Sequence, residues 1–303
     1  MKPAIPRGVQ LFLRRQWVLR TRHRYAHVWP TDERAATPPP GWSGWPEGKQ
    51  FALVLTHDVD RAGGIEKCLQ LAALEEELGF RSSFNFVPER YVVSPALRQE
   101  LVNRGFEVGV HGLIHDGKLF DSKIEFLRRA RRINHYLKEW NAVGFRAPCM
   151  HHNFDWMHEL NIEYDASSFD TDPFEPQPDG MQTIFPFHVT HPILNRGFIE
   201  LPYTLPQDFL LFVLMREQGT DVWKAKLDWI AKMGGMALLI THPECMRFDR
   251  GRLGREEYPA ELYAEFLRHI RKAYENQYWH VLPREVSRFW VQRSGSSHPN
   301  GSR

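Results

Sequence analysis

From Phe51 onward the chain repeats one alternation, a short apolar run followed by a longer stretch with helical spacing. Residues 51–55 (FALVL) and 236–240 (MALLI) are apolar at every position. A strand that does not alternate polar with apolar residues is buried on both faces, as in a parallel sheet covered by crossover helices. Further strand-type segments lie at 82–87, 106–110, 142–145, 162–165, near 198–201 and at 278–282. Helical spacing falls between them at 66–78, 95–103, 122–140, 154–160, 206–217, 221–233 and 258–274. Strand-then-helix repetition leaves two architectures, an open doubly wound α/β sheet or a barrel. The length of 303 residues and the polar residues at many strand ends favour a (β/α) barrel.

The flanks read differently. Lys2, Arg7, Arg14, Arg15, Arg20, Arg22 and Arg24 all precede the first acid, Asp32. Pro38, Pro39, Pro40, Gly41, Gly44, Pro46 and Gly48 then break regular structure. We expect residues 1–50 to be a basic N-terminal arm and Pro/Gly linker, solvated, with Trp42 and Trp45 packed on the main domain. The sharper alternative is an arm that touches an anionic surface or substrate. Residues 51–293 form the barrel, and the tail from 294 (SGSSHPNGSR) has a disordered composition. A net charge of +2 does not indicate a nucleic-acid partner, and none is expected. No run is apolar enough to span a membrane. The run at 9–13 is cut by Arg14 and Arg15, a poor signal-peptide core, and three scattered cysteines form no disulfide framework. A cytoplasmic location is expected.

The chemistry gathers where strands end. The first ends in Asp58 and Asp60 (LVLTHDVD), the third in His111 with His115 four residues on (HGLIH), the fourth in Arg146 (GFRAP), and a late one in His242 (LLITH). Parallel strands in one barrel bring all these ends to one face. Two imidazoles and one carboxylate make a three-ligand set for zinc, with positions left open for water. The same set also suits Fe(II), Mn(II) or Co(II).

The order Thr-His-Asp-Val-Asp, His-Gly-Leu-Ile-His, Arg-Ala-Pro, Tyr-Asp-Ala-Ser-Ser and Leu-Leu-Ile-Thr-His resembles the polysaccharide deacetylase family, also called NodB-homology or carbohydrate esterase 4, over residues 51–290. The resemblance implies a distorted (β/α) barrel of about seven parallel strands and a metal-dependent hydrolysis of N-acetyl or related C–N bonds. It implies Asp58 as catalytic base, Asp60, His111 and His115 as metal ligands, and Arg146 as the holder of the base. By the same resemblance the Cys149 N–H is an oxyanion donor and His242 the general acid, with Asp165, or else Asp170, as the partner of His242. The cofactor is then a divalent metal, Zn2+ first, with Co2+, Mn2+, Fe2+ or Ni2+ as alternatives. The partner is an acylated amino sugar or sugar-conjugate substrate.

Four positions depart from the family pattern. Val59 separates two aspartates that are commonly adjacent, as in an intracellular Asp-x-Asp subset, and His57 replaces an aromatic and reads as structural. Cys149 follows the Arg-Ala-Pro motif where an aromatic is usual, and Phe169 stands in for a missing Trp. Outside the motifs, the basic run Arg128, Arg129, Arg131 and Arg132 reads as a solvated helix face, and Cys149 and Cys245 as small buried thiols. His151 and His152 read as loop residues, and Glu244 as a candidate partner of the site. Alternative functions are hydrolysis of a small non-sugar amide or cyclic ureide at the same site, a non-catalytic glycan-binding barrel, and an Fe(II) oxygenase.

Overall fold

The computed structural model describes residues 6–194 and 196–295. Lys2 and the tail beyond Gly295, expected above to be disordered, lie outside the described residues.

Strands β1 (Phe51–Val59), β2 (Ser83–Phe86), β3 (Glu107–His111), β4 (Gly144–Arg146) and β5 (Tyr164–Asp165) pair in sequence order, all parallel. Strand β6 (Phe187–Thr190) folds back antiparallel on β7 (Gly197–Glu200), and β7 continues the parallel sheet beside β5. Strand β8 (Met236–Thr241) returns to the free edge of β1, pairing along 52–57. The sheet curls until the chain just beyond β7 meets β8. There the Thr204 and Leu205 N–H groups both donate to Leu238 O at 3.1 Å. The expected α/β barrel is therefore present, with β1, β2, β3, β4, β5, β7 and β8 as its parallel strands. Its distortion is local. The short strand β11 (Tyr278–His280) pairs with Phe51–Leu53 on the edge of β1 that β2 takes over from Thr56 onward. A separate parallel pair joins β9 (Met246–Arg247) to β10 (Tyr258–Pro259). All nine residues of β1 are buried, as its unbroken apolar run predicts for a central parallel strand.

Crossover helices pack outside: α2 (Ala62–Glu77), α3 (Pro95–Asn103), α4 (Lys123–Trp140), the single turn α5 (Phe154–Met157), α6 (Asp221–Met233) and α7 (Ala260–Ala273). Their ends follow local chemistry. Ser94 and Ser122 accept hydrogen bonds from the Leu97 and Glu125 N–H groups and so cap α3 and α4. Gly234, at φ +75°, ends α6. Helix α4 buries Phe126, Ala130, Ile133 and Leu137 on one stripe.

Three regions depart from expectation. The helix expected at 206–217 is a π-helix over Phe209–Met215 with Leu210 through Met215 all buried; FLLFVLM has no polar face to turn outward. A last helix, α8 (Pro283–Gly295), follows β11 and buries Val286 and Trp290. Finally, residues 6–50 are not a solvated extension. Helix α1 (Arg7–Thr21) buries Leu11 and Val18, and Arg15 donates to Val213 O at 2.7 Å. Trp45, as expected, is packed in, and its indole N–H donates to Gly234 O at 2.8 Å.

Candidate active site

The C-terminal ends of β1, β3, β4 and β8 converge on one cleft of about 170 Å³. It is lined by Asp58, Asp60, His111, His115, Cys149 and His242, and α1 adds Arg7 and Arg14 at its wall.

Asp58, within β1, is buried and anchored through one of its two carboxylate oxygens. Its Oδ1 accepts from Arg146 Nη1 at 2.9 Å and from Asn85 Nδ2 at 3.0 Å. Arg146, itself fully buried, is held by the Ala166 carbonyl (Nε, 2.8 Å) and by Thr56 Oγ1 (Nη1, 2.9 Å). Burial pushes the Asp58 carboxyl up, but the Arg146 guanidinium, then His111 and His242, outweigh it and hold the group below the ordinary carboxylate range. Gly109 makes room for this arrangement: a Cβ there would sit 2.2 Å from Asn85 Oδ1.

Asp60 lies one residue past β1. Its Oδ1 is 3.2 Å from His111 Nε2 and 3.0 Å from His115 Nε2, whereas Asp58 Oδ2 is 3.9 Å from His111 Nε2. The ligand atoms of Asp60, His111 and His115 lie within 4.8 Å of one another, so the three could hold one metal ion. They fit that role on a further observation. Asp60 Oδ1 is buried beside both imidazoles yet has no hydrogen-bond partner, so the three atoms face a common point rather than satisfying each other. His111 Nδ1 lies 3.0 Å from the Arg146 carbonyl. Donation of Nδ1–H to that oxygen leaves Nε2 with its lone pair toward the cluster. The same carbonyl accepts the Gly112 N–H at 2.9 Å. Gly112 has φ +60°, and a Cβ on it would fall 2.5 Å from Pro148 Cδ, so this position requires glycine.

A contact hidden in the sequence braces the second histidine. Arg129, expected on a solvated face, instead turns inward and clamps Asp116, next to His115, through Nη1 (2.7 Å) and Nη2 (2.9 Å). Its hydrogen bonds pull the Asp116 carboxyl down to about 2. His115 itself is left-handed at φ +59°, and Arg90 donates to its carbonyl at 3.1 Å.

Across the cleft, His242 Nδ1 lies 2.7 Å from Asp208 Oδ1. Asp208 Oδ2 accepts the His242 N–H at 2.8 Å and the Tyr258 hydroxyl at 2.9 Å. Burial lowers the His242 pKa, but Asp208, by charge and hydrogen bond, raises it overall to about 10. The partner of His242 is thus Asp208, and neither Asp165 nor Asp170 takes that place. Asp165 accepts from Ser167 Oγ at 2.7 Å, and that hydroxyl accepts the Ala147 N–H at 2.7 Å, so Asp165 braces the backbone beside Arg146. Asp170 is paired with buried Lys226 at 2.6 Å.

Cys149 and Met150 sit at φ +60° and +55°, consecutive left-handed residues at the cleft wall. The Cys149 thiol is exposed rather than buried; Cys68 and Cys245 are buried. His57 lies outside the cleft, between Thr241 Oγ1 (2.7 Å) and Glu75 Oε1 (3.0 Å), in agreement with a structural role. Phe169 is buried against Tyr203, and the aromatic walls are Phe174 and Phe209. Glu244, two residues after His242, also lines the cleft, and both its carboxylate oxygens are buried without a hydrogen-bond partner.

No family model matches the chain, and no curated protein sequence matches it. Solved structures do. One described as a polysaccharide deacetylase from Mycobacterium smegmatis superposes with a TM-score of 0.60 at 19% identity, over 88% of this chain and 98% of that one. A second, described in the same terms, from Pseudomonas aeruginosa PAO1, gives 0.61 at 15% identity over 87% and 98%. The chain has the polysaccharide deacetylase fold. An allantoinase, Puue, shares this fold with a TM-score of 0.60 at 15% identity, over 89% of this chain and 99% of its own.

Proposed function

We propose that this protein is a metal-dependent hydrolase that removes an N-acyl group, most simply acetyl, from an amino sugar or sugar conjugate. The observation that carries the reading is two titratable groups driven apart in one cleft: Asp58 held below the carboxylate range by Arg146, and His242 raised to about 10 by Asp208. Such a pair is a base and an acid at the same neutral pH.

Asp60, His111 and His115 would hold the metal, zinc first by donor type, with Co2+, Mn2+, Fe2+ or Ni2+ as alternatives. When bound, a divalent metal supplies Lewis-acid polarisation of the acyl carbonyl and acidification of water. Asp58 Oδ2, the oxygen not bonded to Arg146, receives the proton of the attacking water. Arg146 and Asn85 keep that carboxylate charged and oriented. The Cys149 N–H donates to the developing oxyanion. His242, protonated on both nitrogens because Asp208 holds Nδ1–H, gives its Nε2 proton to the departing amine. Free cysteines agree with the reducing compartment we assign, the cytoplasm.

A cyclic ureide or other small amide is the second reading, favoured by the likeness to the allantoinase. The test is hydrolysis of a panel of N-acetylated amino sugars alongside allantoin, with and without a chelator. Acetate released from a sugar, lost on chelation and restored by Zn2+, supports the first reading. Turnover of allantoin alone supports the second, and turnover of neither by metal-loaded protein contradicts both.

A further inference from the structure

Helix α1 is packed inside out. Only Leu11 and Val18 are buried on its inner side. Val9, Phe12, Leu13 and Trp17 are 46%, 56%, 52% and 44% exposed. These four positions follow the i, i+3, i+4, i+8 spacing of one helical stripe, so they form a continuous apolar face toward solvent. Five of the thirteen exposed large apolar side chains among the described residues fall within positions 9–19 of this helix.

The surroundings of this stripe are cationic. Arg14, Arg20 and Arg24 are exposed, and no acid occurs between residues 6 and 31. The loop over residues 249–255 lies against the start of the helix. Arg7 pairs with Glu256 at 3.0 Å, and a Cβ on Gly8 would sit 2.9 Å from Arg255 Nη1. That loop exposes Arg250, Arg252, Leu253 and Arg255, and its one acid, Asp249, is paired with Arg247 at 2.7 Å. An outward stripe of Phe, Leu, Val and Trp edged by arginines is the composition of a helix that lies in a membrane interface, where the apolar side chains enter the acyl boundary and the guanidiniums meet headgroup phosphates.

We propose that α1 and the adjoining 249–255 loop seat this protein on the surface of an anionic bilayer. Because Arg7 and Arg14 also line the cleft, the seated protein holds its cleft beside the headgroups. This proposal does not depend on the reaction assigned above.

The test is co-sedimentation of the full-length protein with phosphatidylcholine vesicles, with or without about 30% phosphatidylglycerol, at about 0.15 M salt. The expected result is partition onto the anionic vesicles, weakened at ~1 M salt. Phe12→Glu/Leu13→Glu should lower the partition at least ~10-fold with an unchanged near-UV circular dichroism spectrum. A second variant, Arg250→Ser/Arg252→Ser/Arg255→Ser, should weaken binding to anionic vesicles and leave the apolar stripe intact. Three results would overturn the proposal. One is no binding of wild type to anionic vesicles, and another is equal binding by wild type and both variants. The third is a wild-type dimer that Phe12→Glu/Leu13→Glu converts to monomer, which would make the stripe a contact between copies of the chain.

Discussion

Replacing Asp208 by asparagine keeps the shape of the cleft and removes one charge. Asparagine Oδ1 can still accept His242 Nδ1–H, so the ring keeps its orientation, while its Nδ2 replaces the oxygen that accepts the His242 N–H and the Tyr258 hydroxyl. Loss of those two acceptor contacts lowers the rate alike at every pH; the pH-dependent loss is the attraction between the carboxylate and the imidazolium, whose closest atoms are 2.7 Å apart. Two unit charges roughly 3 Å apart at an effective dielectric near 20 attract by about 5 kcal/mol, or ~4 pKa units. That is enough to account for a histidine raised to about 10 against its burial. The acid must be protonated, so activity persists below the His242 pKa and falls as pH rises through it. In Asp208→Asn the alkaline limb of the kcat/KM profile should therefore move down toward the ordinary histidine value of ~6.5. At about pH 9 the variant should lose on the order of 100-fold, and near pH 6 no more than ~10-fold. The assay is acetate release from the best substrate across the pH range, with each variant loaded with metal. An alkaline limb that stays in place while the rate drops equally at every pH would refute the assignment of His242 as an acid poised by Asp208.

Other perturbations follow from the same contacts. Arg129→Ala removes the clamp on Asp116 beside His115 and should weaken metal binding by about 10- to 100-fold in a competition titration with a chelating dye, with Lys restoring part of it. Glu75→Ala strips the buried His57, Ser82 and Tyr263 of their shared acceptor, and should cost about 3–5 kcal/mol in urea unfolding with bound metal little changed. His111→Ala should remove metal and activity together; metal retained at full occupancy would contradict its place in the ligand set.

The parts of the site legible in sequence are the local ones. Asp58 and Asp60 stand at the end of an unmistakable buried strand, and His111 and His115 share a four-residue spacing after another. Strand ends on one face of a parallel barrel are neighbours by topology alone, so their convergence followed from the alternation of elements. Asp208 carried no such signal. It lies 34 residues before His242, past an irregular proline-rich stretch, and it caps a buried π-helix where the expected helix over 206–217 shows no polar side to mark a cleft-facing residue. Asp165 misled for the opposite reason. It sits in a recognisable motif, but its carboxylate serves Ser167 and the backbone beside Arg146. Arg129 was masked by the three exposed-type arginines around it, and only the tertiary position of Asp116 distinguishes it. Helix α1 has the sequence of an arm because most of its apolar residues face outward and its inner side buries only Leu11 and Val18.

The division of labour between the two aspartates is the centre of the account, and one comparison tests it most directly: zinc content and activity of Asp58→Asn and Asp60→Asn, purified in parallel. Asp60 Oδ1 faces both imidazoles and lacks another partner, whereas Asp58 is committed to Arg146 and Asn85. The account predicts that Asp60→Asn loses its zinc, and that Asp58→Asn keeps stoichiometric zinc while its rate falls at least ~100-fold. Zinc retained by Asp60→Asn and lost by Asp58→Asn would contradict it.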